Sequence, residues 1–337
     1  MRRWACAHGL SLFAAGIRAR PEDFQVAEKL AIEFSGDGEH DYLKIEKTGA
    51  NTDWVAKCLA RHAGVPFVDV GYAGLKDRHA VTTQWFSVRR GHVVDWTAFD
   101  ATGVKIVERQ VHRRKLRRGA HRGNSFRIAL RAADIATHRD AIDARLAAIR
   151  RCGVPNYFGP QRFGRNGANL KLAQELFLGA RTSRHRRSIA LSAARSLLFN
   201  EILDARVRAG NWNRLLPGER ANLDGSGSVF AVSDVDDELR RRANTLDIHP
   251  SATLWGCGAP FSTATAARLE TEVVANFRAL AEGLQDAGVG ADSRALRLRV
   301  QDLAWETDGD RLWLEFFLRR GGFATAVIRE IAMTDGV

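Results

Sequence analysis

The chain has 337 residues, 45% hydrophobic and 27% charged, with 51 Lys and Arg against 39 Asp and Glu and a net charge of +12. That length suits about two domains with a full core, and it excludes a disordered chain, a fibre and a disulfide-stapled miniprotein. So basic a balance points to a polyanion as partner, nucleic acid first. The excess is local: Lys105 to Asn200 holds 22 basic and 5 acidic residues, leaving 29 and 34 to the rest of the chain.

Met1 to Gly16 has the outline of a signal peptide, with Arg2 and Arg3 ahead of an apolar stretch. His8, Gly9 and Ser11 interrupt that stretch, so the segment is expected to belong to the fold. Phe24 to Phe34 alternates loosely and reads as a strand; Tyr42, Leu43 and Ile45 suggest another after the turn-forming Gly36-Asp37-Gly38. Val55, Cys58, Leu59 and His62 fall at helical spacing, which predicts a helix over Thr52 to Ala63, entered through Asn51 or Thr52. Short β-rich runs follow at Phe67 to Tyr72, Gln84 to Val88, Val104 to Val107 and Ser125 to Leu130. Past Gly153-Val154-Pro155 the helical patterns are Gly167 to Phe177, Ser188 to Val207 and Ser262 to Glu282. Strand-like runs return at Leu296 to Leu303 and Leu312 to Leu318. Strands that resume after a helix-rich stretch predict an insertion over roughly 150 to 297, with a plain tandem of two domains as the competing reading. No apolar run of about 18 residues offers a membrane span. Cys6, Cys58, Cys152 and Cys257 form no C-x-x-C pair; they read as free thiols in a reducing compartment, and no metal site is expected.

The most informative run is GYAGLKDRHAVTTQWFSV, Gly71 to Val88. A buried strand feeds a turn, and Lys76, Asp77, Arg78 and His79 follow together at the sheet edge, where substrates bind. Two permanent cations flank Asp77 and would hold it ionised, as a nucleophile or base requires. A solvated hairpin turn with ion pairs fits the same residues equally well. His79 beside Asp77 comes with no G-x-S-x-G and no catalytic Cys context, which argues against a hydrolase.

Two basic clusters suit a phosphate backbone, because each neutralised phosphate releases counterions. One is His112 to Arg122, with Arg113, Arg114, Lys115, Arg117, Arg118 and Arg122 and no acid. The other is Arg181, Arg184, His185, Arg186 and Arg187. The run Tyr157, Phe158, Gln161, Arg162 and Phe163 is either an RNA grip through rings and Arg162 or a packed hinge between domains.

Gly74-Leu75-Lys76-Asp77, with Ala80, Thr82 and Gln84 following, resembles the signature of the TruD family of tRNA pseudouridine synthases. Five further stretches fit the same family in the same order: Arg20 to Glu28 (RPEDFQVAE), Lys115 to Phe126, Val154 to Gly164, Leu191 to Asn200 and Gly321 to Ile331. The likeness spans nearly the whole chain and is weakest over Asp204 to Thr265. It implies an α+β fold: a catalytic domain with a mixed, mainly antiparallel sheet flanked by helices, built from 1–149 and 298–337, around an inserted α/β domain at 150–297. It implies an isomerase that turns uridine into pseudouridine at position 13 of tRNA, in the D-arm region, with no cofactor and no metal. Asp77 is then the essential carboxylate, and Lys76 a partner that keeps it anionic or a phosphate contact. Phe24, Asn124 and Phe323 are substrate contacts. Phe126 follows Asn124 by two residues and shares its face in a strand, placing a ring beside the amide. The expected partner is tRNA, bound by a cytoplasmic monomer that needs no protein partner. A catalytically idle RNA-binding protein or tRNA-folding chaperone on the same scaffold is the alternative, and the intact Asp77 argues against it.

Overall fold

The computed structural model describes residues 4–91 and 93–334; Arg2 and Arg3 lie outside them. Its packing divides the chain into two compact units. One comprises 15–137 and 301–321, the other 4–14, 138–300 and 322–334. The packing thus joins 4–14, 138–149 and 322–334 to the helix-rich unit, where the sequence suggested breaks at 149 and 298.

The first unit is built on one sheet. Its main strands are β1 (Phe24–Leu30), β2 (His40–Lys47), β3 (Val81–Arg89), β4 (Val104–His112), β5 (His121–Arg131), β6 (Gln301–Asp308) and β7 (Arg311–Arg319), in the order β6-β7-β5-β1-β3-β2-β4. Neighbours run antiparallel except β1 and β3, so the sheet is mixed. Helix α1 (Thr52–His62) lays Val55, Ala56 and Leu59 on Leu43, Ile45, Phe86 and Val88, closing a dry core over one part of the sheet. The ladder fixes which side chains share a face. Phe24, Val26 and Glu28 stand opposite Ile128, Phe126 and Asn124, and these oppose Leu314, Phe316 and Leu318. Val26 also meets Thr82, which meets Lys47.

Several elements differ in extent from the sequence pattern. β1 ends at Leu30, because Ile32 and Phe34 leave the ladder to pack beside Tyr42 and Trp85. Phe67–Asp69 is a single helical turn after Pro66, and only Val70–Tyr72 is strand. Asp302 adopts φ +53°, and the ladder of β6 is irregular between Gln301 and Ala304.

The second unit holds α2 (Arg139–Cys152), α3 (Ala168–Phe177), α4 (Arg184–Arg208), α5 (Asp237–Asn244), α6 (Ala264–Ala275) and α7 (Arg278–Asp286). α2 is absent from the sequence reading. The single helix expected over Ser262 to Glu282 is two, broken at Asn276–Phe277. α4 starts earlier than its apolar stripe, since the Ser183 hydroxyl caps it by accepting from the Arg186 N–H at 3.4 Å. A four-stranded antiparallel sheet, ordered Val229–Ala231, Arg220–Leu223, Ile248–Leu254, Asp292–Ala295, was also not read from the sequence. Tyr157, Phe158 and Phe163 are buried in the core of this unit, and Trp4 stacks on Tyr157 at 5.7 Å. The backbone N–H groups of Ala7 and His8 donate to Glu330 at 2.8 and 3.0 Å, so this part of the signal-like stretch is held in the fold. The architecture is α+β. Among the described residues no helix is long and apolar enough to cross a membrane.

Candidate active site

Asp77 sits in the loop between Val70–Tyr72 and β3, and that loop is tied down on several sides. The buried Gln84 amide of β3 donates to the Gly74 carbonyl at 3.2 Å. Thr52, the first residue of α1, accepts from the Lys76 N–H at 3.0 Å and donates to Gln84 at 2.9 Å. The Gly49 N–H donates to the Arg78 carbonyl at 3.1 Å, and Arg78 Nε returns a bond to the Gly49 carbonyl at 2.9 Å. Lys47 Nζ, at the end of β2, donates to the Asp77 carbonyl at 3.0 Å. Gln84, whose spacing resembled the family signature, thus has a structural job: with Thr52 at the start of α1 it sets the path of the loop.

The Asp77 carboxylate is held separately. The His79 N–H donates to Oδ1 at 3.0 Å, and an Arg18 guanidinium nitrogen lies 3.2 Å from Oδ2. With 29% of its side chain exposed, Asp77 is fixed yet reachable. Arg18 is itself seated 4.2 Å over the ring of Phe24, an arrangement in which ring and carboxylate both attract the cation.

Lys76 does not pair with Asp77. Its Nζ lies 2.7 Å from Glu28 Oε2, with 7% and 0% of the two side chains exposed, and Glu28 Oε1 accepts from the Trp85 N–H at 3.3 Å. Adjacent in sequence, Lys76 and Asp77 leave the loop toward different partners, and Arg78 is spent on Gly49. The cation on Asp77 is Arg18, which sequence reasoning missed. It lies just ahead of the RPEDFQVAE stretch, and no local pattern ties it to a loop so far along the chain.

The sheet brings three other expected residues together. Phe24 is buried, its ring edge-on to Phe126 at 6.4 Å, and Phe126 stacks on Phe316 at 5.3 Å. Asn124 stands opposite Glu28, and its buried Oδ1 meets no donor among the described residues. Phe323 belongs to the helix-rich unit, where it precedes the short helix Ala324–Ile328 and its ring lies 6.3 Å from Phe158.

Comparison with known proteins then gives the family. The profile of tRNA pseudouridine synthase D (TruD) matches residues 10–184 and 180–331. The tRNA pseudouridine synthase D of Methylococcus capsulatus is 48% identical over 334 residues, 98% of this chain and 94% of that one. That of Nitrosococcus oceani is 46% identical over 331 residues, 96% of this chain and 92% of that one. The chain belongs to the TruD family. It is therefore classed as an isomerase, a pseudouridine synthase. A TruD-named crystal structure from Methanosarcina mazei shares the fold, with a TM-score of 0.78 at 19% identity over 98% of this chain and 95% of that one.

The basic residues of this TruD chain fall in both units. In the sheet unit, the loop from β4 to β5 exposes Arg114 and Arg117, while Arg113 pairs with Asp37 at 2.8 Å. Lys115 donates to the Val68 carbonyl. The Arg118 guanidinium lies 3.6 Å over the Tyr72 ring, and that of Arg122 lies 5.7 Å from the Phe317 ring. The loop packs so closely on Gly71 that a methyl group there would collide with the Leu116 carbonyl. In the helix-rich unit, Arg184 and Arg186 are exposed on α4. Arg187 donates to the Ala287 carbonyl at 3.1 Å and Arg162 to the Ser192 hydroxyl at 2.9 Å. Arg195 donates to the carbonyls of Gly290 at 3.0 Å and Leu254 at 3.3 Å. Arg184, Arg187, Ser188, Ser192 and Arg195 line a hollow of about 390 Å³. Burial lowers the pKa of Arg162 and Arg195, though both stay protonated. Arg195 was missed as well; two turns past Arg187 and Ser188, it shares their helix face.

Proposed function

We propose that this chain isomerises uridine to pseudouridine in tRNA, at position 13 in the D-arm region, using the Asp77 carboxylate and no cofactor. The observation that carries the reading is a reachable carboxylate clamped by Arg18 and the His79 N–H, on a loop anchored from β2, β3 and α1. In the reaction the glycosidic N1–C1′ bond breaks, the uracil turns, and C5 joins C1′; nothing is gained or lost, so no redox partner is needed. One carboxylate suffices whether it attacks C1′, attacks C6 or takes the C2′ proton.

A uridine inside an RNA stem must first leave its stack, at a cost of a few kcal/mol. Phe126, half-buried between Phe24 and Phe316, offers an extruded base an aromatic face, and Asn124 Oδ1, which meets no donor among the described residues, is the acceptor for the uracil N3–H. In this reading Phe323 is a further substrate contact from the helix-rich unit, and Lys76 supports the site by neutralising Glu28. Arg113, Arg114, Lys115, Arg117, Arg118 and Arg122, with Arg162, Arg184, Arg186, Arg187 and Arg195, hold the RNA backbone. The sheet unit is the catalytic domain, the helix-rich unit corresponds to the inserted one, and the protein works as a cytoplasmic monomer.

The test is to incubate unmodified tRNA transcript with the protein and map pseudouridine by carbodiimide-dependent primer stops. One modified site at position 13 is expected, none with Asp77→Asn, and tRNA affinity should stay within a few-fold between the two. Equal turnover by Asp77→Asn removes that residue from the chemistry. Tight binding by the wild type with no product makes the chain an RNA binder.

A further inference from the structure

Lys47 closes β2 with its side chain inside the protein, 1% exposed. Its ammonium donates to two backbone carbonyls, Ala50 at 2.8 Å and Asp77 at 3.0 Å, and forms no ion pair with a carboxylate among the described residues. A buried cation without a counterion costs stability, and a methionine of similar volume would fill the space without that cost. Packing therefore does not explain an ammonium at this point. Its place does: the bond to the Asp77 carbonyl acts on the residue whose carboxylate Arg18 clamps.

We propose that Lys47 is a positioning residue for the reaction, its charge holding the Asp77 backbone while Arg18 fixes the carboxylate itself. The assignment rests on Asp77 being the reacting group. The charged groups acting on Lys47 are Asp77, which favours the ammonium, and Lys76, which opposes it. Lys76 is in turn balanced by Glu28. From the flanking strands, Thr82 and Val104 face Lys47 and carry no charge. Desolvation by burial is the largest influence and pushes the lysine down to about 8. Above that pH the amine keeps two N–H groups but loses its charge, so rate falls where binding does not.

The experiment is single-turnover pseudouridine formation with saturating enzyme, followed from about pH 6 to 10, for wild type, Lys47→Met and Lys47→Arg. The wild-type rate should fall above about pH 8. Lys47→Met should be slower by about 10²-fold, the scale of a small misplacement of a reacting group, with tRNA affinity within a few-fold. Lys47→Arg keeps its charge and should hold its rate through about pH 8, falling only where the uridine N3 proton is lost. Uridine itself loses its N3 proton in this range, so a fall that persists unchanged in Lys47→Arg belongs to the RNA and overturns the proposal. A Lys47→Met rate within about threefold of wild type overturns it too. Where Lys47→Met does not fold, the wild-type and Lys47→Arg profiles decide by the same criterion. Asp77→Asn separates the two assignments. If it is active, the reading of Asp77 fails; if it is inactive while Lys47→Met is fully active, only the role of Lys47 fails.

Discussion

Around Asp77, Arg18 and Lys76 each end on a carboxylate; on α4, Arg187 and Arg195, and beside it Arg162, each end on a hydroxyl or a carbonyl. The first arrangement spends charge on geometry, since a paired cation attracts little from outside but fixes both partners. The second keeps its charge, since a neutral acceptor orients a guanidinium without cancelling it. A catalytic carboxylate needs the former, and a surface that draws in a polyanion needs the latter. Substitutions can test whether the two regions divide the work this way.

The largest effect on stability belongs to the buried Lys76–Glu28 pair. Lys76→Met leaves Glu28 buried without its partner and should cost about 3–5 kcal/mol in urea unfolding. A change below about 1 kcal/mol, the worth of an exposed pair, would mean that Lys76 serves the substrate rather than the fold. Arg18→Met should barely alter unfolding, because its side chain is 30% exposed and surface pairs contribute little. It should still slow single turnover by about 10²-fold, with Arg18→Lys recovering part of the loss. An Arg18→Met enzyme at wild-type rate would show that the His79 N–H and the loop anchors hold the carboxylate unaided. Asn124→Ala removes one acceptor for the base and should weaken kcat/KM by roughly tenfold, the worth of about one hydrogen bond. An unchanged kcat/KM would move base recognition elsewhere.

Much of the Asp77 region was legible because its signal is local. Strand, turn and K-D-R lie within a few residues, Asn124 and Phe126 share a face by two-residue spacing alone, and α1 shows its apolar stripe directly. What escaped depends on contacts between distant segments. Arg18, Lys47 and Glu28 reach the Asp77 loop from the chain before β1, from β2 and from β1 respectively, and only the sheet order brings them there. Sequence adjacency misled at Lys76, whose charge goes to Glu28. The four-stranded sheet of the helix-rich unit was missed for another reason: its strands are only 3 to 7 residues long and show no clean alternation, with Ile248–Leu254 buried almost throughout.

The arginines of α4 give the smallest effect and the one most specific to the comparison. If Arg187 and Arg195 each neutralise a phosphate, Arg187→Gln with Arg195→Gln should flatten the log-log salt dependence of tRNA binding by about 1.4–1.8, since each lost contact removes about 0.7–0.9 from the slope. Arg117→Ala with Arg118→Ala in the sheet unit should flatten it by a similar amount, and the two pairs should add if they touch separate stretches of RNA. Neither pair should change the single-turnover rate at saturating enzyme, because neither touches Asp77 or its anchors. Lys76→Met should leave the slope unchanged, its charge being cancelled by Glu28 inside the protein. An α4 double variant that binds with the wild-type slope but turns over slowly would invert the division of labour, placing the hollow at Arg187 and Arg195 in the chemistry instead of on the RNA backbone.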